Sequence, residues 1–240
     1  MPEEYLSRPR RRAAGGAFVA VLALFVAGLV GCSNKPAVDT ANLPAGDVLV
    51  KDGAAAVKAL KTAHVTLTGE GTIGQVPLRR ADAILTTTDE AKGTIQIEQF
   101  ATLVEFEFVV VNDKIHIKGP TGGWSELPLA LASTYYDPTV ILDPDKGVAN
   151  IIGTAKEPRT EAKETVDGAE TYKVAVKLDR AALDRLVPGI GDNATGFLWL
   201  DTQSKLLRKA EITVPGADGK NGKVTITATD FDAPVTISAP

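Results

Sequence analysis

The chain has 240 residues, 44% of them hydrophobic and 23% charged, with a formal net charge of −4. That balance excludes a polybasic binder of nucleic acid or of an anionic membrane surface. A single cysteine, Cys32, excludes an intrachain disulfide.

The N-terminal segment has the pattern of a leader. Arg8, Arg10, Arg11 and Arg12 are followed by an uncharged apolar run from Ala17 to Val30. That run is shorter than the roughly 20 apolar residues a membrane span needs, and it suits the h-region of a secretory signal. It ends in Leu29-Val30-Gly31-Cys32, small residues before a thiol that can accept a diacylglyceryl group. Residues 1–31 are therefore expected to be a lipoprotein signal peptide, with Cys32 lipidated after export. Removing them takes away four arginines and two glutamates and leaves a mature net charge of about −6. Acylation by two or more chains would hold the mature protein on the outer, periplasmic face of the cell membrane. Residues 32–46, polar and poor in bulky groups, read as a flexible tether, and residues 47–240 as one domain.

The pattern predicts a helix over Asp47–Lys61, capped by Asp47 or Asp52, with Val50, Val57 and Leu60 on one face. The period then changes to two over His64–Glu70, Ala81–Thr88, Gly93–Gln99 and Thr102–Asn112. Asn112-Asp113 makes a tight turn and Lys114–Lys118 returns, so an antiparallel meander is expected. Tyr136-Asp137-Pro138 and Asp143-Pro144 each place an aspartate cap beside a proline preset for a first helical turn. Short helices are expected over Thr139–Leu142 and Lys146–Thr154. Thr160–Val166 and Glu170–Leu178 flank the hairpin signal Asp167-Gly168. Asp179 caps a further helix through Leu186, stopped by Pro188-Gly189. Thr195–Asp201, Leu206–Val214 and Lys223–Phe231 complete the strands, with a polar loop over Gly216–Gly222. Runs of strands separated by short helices define an α+β fold with helices on one face of an antiparallel sheet.

Catalytic chemistry has little to stand on. The two histidines, His64 and His116, fall inside predicted strands without ligand-spaced neighbours. No nucleophile elbow, phosphate-binding Walker loop or zinc-protease motif occurs. Glu105 and Glu107 alternate with Phe106 and Phe108 and read as the wet face of a strand. Gly119–Gly123 precedes Trp124 rather than a helix and reads as a turn. The chain is expected not to be an enzyme and to need no cofactor.

The alternating apolar positions form the expected interior. They are Val65, Leu67 and Leu85, then Ile95, Ile97, Val104, Phe106, Phe108, Val110 and Ile115. The helices add Val140, Ile141, Val148, Ile151 and Ile152, and the later strands add Val174, Val176, Leu198, Leu200, Ile212 and Ile226. Such a pattern permits either a solid core or a hollow one.

An ordered set of short motifs resembles the mycobacterial LppX/LprA/LprF/LprG lipoprotein family. Tyr136-Asp137-Pro138, Leu142, Asp145, Gly147 and Ala149-Asn150 resemble its central signature. Ala59-Leu60-Lys61 with Ala63-His64, Phe108-Val109-Val110 before Asn112-Asp113, Trp124-Ser125, Asp167-Gly168 and Trp199-Leu200 correspond in the same order. The resemblance implies a curved antiparallel half-barrel with helices on its concave face around a hydrophobic cavity. It implies that the interior residues named above line that cavity, with Ile95 and Ile97 on its sheet wall. It implies carriage of acylated glycolipids or other multi-acyl wall lipids across the envelope, with an efflux transporter as a partner. Nucleic acid is not an expected partner, and a monomer is expected. The competing reading is a non-catalytic envelope scaffold whose core is filled and which binds protein.

Overall fold

The computed structural model describes residues 42–71, 73, 77–132, 138–186, 194–215 and 220–240. The expected leader, Cys32, Asp137 and Pro188-Gly189 lie outside them. Helix α1 spans Gly46–Lys58. Strands β1 (Thr62–Glu70), β2 (Leu78–Thr86), β3 (Ala91–Gln99), β4 (Thr102–Val111), β5 (Lys114–Lys118) and β6 (Trp124–Pro128) follow as a meander. Helix α2 (Leu129–Ala132), a 3₁₀ turn (Pro138–Leu142) and helix α3 (Val148–Gly153) lead into β7 (Lys156–Val166) and β8 (Ala169–Lys177). Helix α4 (Arg180–Asp184) precedes β9 (Thr195–Asp201), β10 (Leu207–Pro215) and β11 (Asn221–Thr229).

Among the described residues, eleven strands form one antiparallel sheet in the order β6-β5-β4-β3-β2-β1-β11-β10-β9-β8-β7. Two meanders are thus sewn together where the first strand pairs with the last, Leu67 opposite Ile226. The sheet does not close: β6 and β7 remain edges. Both edges are built against further pairing. Strand β6 is exposed along its whole length, and β7 carries Lys156, Glu157, Arg159, Glu161, Lys163 and Glu164.

Two of the turns follow their sequence. Asn112-Asp113 (φ 54° and 58°) and Asp167-Gly168 (φ 47° and 81°) supply the left-handed backbone that a two-residue hairpin requires. Gly122 N–H donates to the Gly119 carbonyl at 3.1 Å, closing the expected turn there. Other expectations shift. Helix α1 stops three residues early, and its N-cap is Ala45, without a side-chain cap, rather than Asp47 or Asp52. Asp143 does not cap α3. Its Oδ1 accepts from Asp145 N–H and Lys146 N–H, both at 2.8 Å, in a local turn, and Gly147 occupies the N-cap. Asp179 does cap α4, accepting from Ala182 N–H at 3.3 Å. Strand β6 and helix α2 had no counterpart among the expected elements.

The β9–β10 turn is held by a buried carboxylate. Asp201 Oδ1 accepts from Gln203 N–H and Ser204 N–H at 2.9 Å, and Oδ2 accepts from Arg208 Nε–H at 3.1 Å. Burial pushes the Asp201 carboxyl up, but the Ser204 and Gln203 amides and the Arg208 guanidinium outweigh it, and the group sits below the usual carboxylate range. A depressed folded-state value means the contribution is complete above the unfolded aspartate value near 3.9 and fades as pH falls through it. Asp201→Asn should therefore cost about 1–2 kcal/mol at pH 7. Urea titrations of both proteins at falling pH should show that gap narrowing below about pH 4.

Candidate functional site

Pairing register gathers apolar residues of adjoining strands on one face. One row runs across eight strands: Val174, Leu198, Ala210, Ile226, Leu67, Ala81, Ile95 and Phe106. The opposite face carries a polar row across β1–β4, Thr66, Asp82, Thr94 and Glu107 in adjoining register positions. His64 lies on that outer face, hydrogen-bonded to Asp82 at 2.9 Å, and Glu107 pairs with Lys118 at 2.8 Å. The His64 bond, with Thr66 and Arg80 assisting, holds Asp82 below its ordinary range against the opposing effect of burial. Trp199 is outer-facing too. It is buried there by Lys173 and Lys209 over its ring, and its Nε1–H donates to Glu164 at 2.7 Å.

The inner face divides into two parts. Over β8–β11, helices α1 and α3 close it. Leu49, Val50 and Val57 of α1 and Ile151 and Ile152 of α3 pack with Val174, Val176, Leu198, Leu200 and Ile212 in one buried cluster. A second cluster lies over one end of β1–β5. It joins Ala63, Leu85, Ala91, Phe108, Val110 and Ile115 to Leu142 of the 3₁₀ turn, with Ile141 beside it. Towards the other end of these strands the cover thins. Val65, Leu67, Ile95, Ile97, Val104, Phe106, Ile117 and Ile226 face inward yet are only half-buried. They form an apolar trough that runs from the second cluster to the end holding the β3–β4 turn, covered there by buried Ile73 at Gly69 of β1 and half-open over β3 and β4.

The trough has a low floor. Val65 pairs with Ala83, Ala83 with Gly93 and Gly93 with Phe108, so small residues lie between larger flanks. Gly93 is required there: a Cβ would fall on the Asp82 carbonyl oxygen and the backbone of Ala83. Close approach of two strands at a glycine also lets a sheet bend.

Of the residues predicted to line a hollow, those on β8–β10, with Ile151 and Ile152, thus belong to the closed cluster, and half-buried Val148 packs against it. Those on β1–β4 border the trough or its closed end, Leu67 and Ile226 where it meets the first cluster, and Val140 and Ile141 are half-buried at its cover. Two open grooves occur elsewhere. One, about 250 Å³, lies between α1 and α3 beside the Lys58–Asp145 ion pair. The other, about 570 Å³, follows β4 and the 119–122 turn, and among the predicted lining residues it touches Val104. Among the described residues no group of three His, Cys, Asp or Glu side chains could hold a metal ion. No described helix is long and apolar enough to cross a membrane.

An open, curved antiparallel sheet with helices on its inner face and an incompletely covered apolar strip is an α+β architecture rather than a closed barrel. The chain belongs to the LppX_LprAFG lipoprotein family, whose profile matches residues 45–237. LprF of Mycobacterium tuberculosis is 29% identical over 251 residues, covering 97% of this chain and 95% of that protein. The M. tuberculosis protein LprG is 26% identical over 238 residues, covering 97% and 98%. The crystal structure of LprF from Mycobacterium bovis superimposes with a TM-score of 0.68 at 27% identity, over 81% of this chain and 96% of that one. M. tuberculosis LppX shares the fold, with a TM-score of 0.60 at 20% identity, over 80% of this chain and 97% of that one.

Proposed function

We propose that the protein is a non-catalytic lipid carrier of the cell envelope. In this proposal it is exported, processed at Cys32 and fastened by acyl chains to the outer face of the cell membrane. The fatty tails of a multi-acyl glycolipid lie along the trough, and a membrane efflux transporter is the partner that passes lipid on. The half-cover of one continuous apolar row carries this proposal. Each inward aliphatic residue left half-exposed forgoes about 1 kcal/mol of burial, and an acyl chain laid against it would recover that. A sixteen-carbon chain costs on the order of 12 kcal/mol to expose to water, so enclosing it lowers a barrier without any bond being broken. The similar proteins point the same way: LprF is named for diacylated glycolipid transport and LprG as a lipoarabinomannan carrier.

Ile95 stands between Ala81 and Phe106 in the middle of the trough. A tryptophan there would fill the space above the low floor without entering the closed clusters. Purified from a mycobacterial host as an unacylated domain, the wild type should yield extractable acylated glycolipid by mass spectrometry. Ile95→Trp should yield at least about tenfold less, with an unchanged circular dichroism spectrum. A wild-type protein free of lipid would leave a tethered scaffold as the better account.

A further inference from the structure

The β3–β4 hairpin does not follow the chemistry of its neighbours. Its two turn residues are Phe100 and Ala101, with φ of 50° and 60°. That left-handed backbone strains a residue bearing a side chain, and the other two-residue turns meet it with Asn112-Asp113 and Asp167-Gly168. Phe100 is also 97% exposed. The residue is thus unfavourable for backbone and solvent alike. Its surroundings match it: Gln99–Val104 carries no charge, and Leu103 is 61% exposed. Behind the turn come the Gln99–Thr102 and Glu98–Leu103 pairs, and then Ile97 pairs with Val104 on the inner face.

The root of the chain packs on β7, the edge strand at the other side of the sheet. Thr160 Oγ1 donates to the Pro44 carbonyl at 2.6 Å, and Gly46 lies against Pro158. Thr160 pairs with Val174, in the same row as Ile95 and Phe106, and Pro158 is nearer the open end. Helix α1 then runs toward the closed end, where Gly53 meets Leu200. Roughly ten residues separate Asn42 from Cys32, a reach of about 35 Å at full extension.

We infer that the Phe100-Ala101 turn is a membrane-docking tip, which seats the open end of the trough on the acyl layer of the bilayer to which Cys32 ties the chain. This rests on the carrier function and on acylation of Cys32 proposed above. An aromatic on an uncharged tip suits the interfacial zone of a bilayer, where a ring can leave water without a specific partner. A protein-binding surface would instead surround such an anchor with a polar rim.

Acylation uses the chain's single thiol, so a new cysteine can be labelled alone. Acylated full-length mature protein carrying Phe100→Cys and an environment-sensitive fluorophore is reconstituted in phosphatidylcholine–phosphatidylglycerol vesicles. The label should shift to the blue and be quenched by brominated acyl chains. The same label at Asn112→Cys, at the closed end, should stay in water. Ala101→Cys is the second tip position should the first perturb the hairpin. Phe100→Asn, a residue suited to the backbone, should keep or raise the melting temperature while slowing vesicle-to-vesicle transfer of a fluorescent diacyl lipid by about threefold or more. An unquenched label at both tip positions overturns the docking tip, whether or not lipid is carried. A quenched label with no lipid held by the wild type overturns the carrier function and leaves the tip standing.

Discussion

Leu200→Ala should destabilise the lipid-free protein by about 3–5 kcal/mol, whereas Ile95→Ala should cost about 1 kcal/mol. Both are apolar residues on the inner face of the same sheet, so composition and strand pattern treat them alike. Their surroundings do not. Leu200 has no exposed surface, and its methyl groups lie within 3.0 and 3.2 Å of the point where a Cβ on Gly53 would stand. Truncation there opens a void bounded by a helix and the neighbouring strands, which cannot all relax into it. Ile95 faces the half-covered trough, where solvent or a ligand already fills the space a truncation would leave. Urea denaturation of delipidated protein measures both costs. Equal losses at the two positions would mean the trough is packed like the rest of the core, and the carrier function would lose its physical basis.

This contrast also marks how far the sequence alone could lead. Ile95 and Ile97 alternate as Val174 and Val176 do, yet one pair is half-buried in the trough and the other lies in the closed cluster. Alternation specifies which face is apolar, and nothing local records whether a helix covers it. Strands with hairpin chemistry between them were legible, as at Asn112-Asp113 and Asp167-Gly168. The Phe100-Ala101 turn carries no such signature, and its left-handed backbone emerges only from the register of β3 on β4. Strand β6 was missed because Trp124–Pro128 is an exposed edge, with no buried side to impose alternation. The pairing of β1 with β11, which joins the two meanders, depends on residues more than 150 positions apart, such as His64 and Thr229, and has no local sequence cue. The family resemblance supplied the curved sheet that periodicity could not.

Gly147→Ala should have the other large effect, a loss of about 2–4 kcal/mol together with loosening of the cover over the second cluster. Gly147 follows the 3₁₀ turn and caps α3, and a Cβ on it would fall against the carbonyl oxygens of Ile141, Val140 and Asp143. Backbone oxygens of a tight loop cannot swing aside as a side chain can, so the loop must open. Its own hydrogen bonds would go with it: Gly147 N–H donates to the Asp143 carbonyl at 2.9 Å, and Asp143 N–H to that of Val140 at 3.1 Å. That loop fixes the 3₁₀ turn, whose Leu142 is buried among Leu85, Phe108 and Val110, to α3, whose Ile152 is buried in the first cluster. A single glycine thus couples the cover of the trough to the closed core. Hydrogen exchange should show faster exchange over residues 138–147 in Gly147→Ala, while β8–β10 stay protected. If the trough holds acyl chains under that cover, the variant should also release bound lipid faster than the wild type, with a smaller change at Ile95→Ala. Unchanged exchange over 138–147 would show that the loop yields without strain and that the glycine does not hold the cover in place.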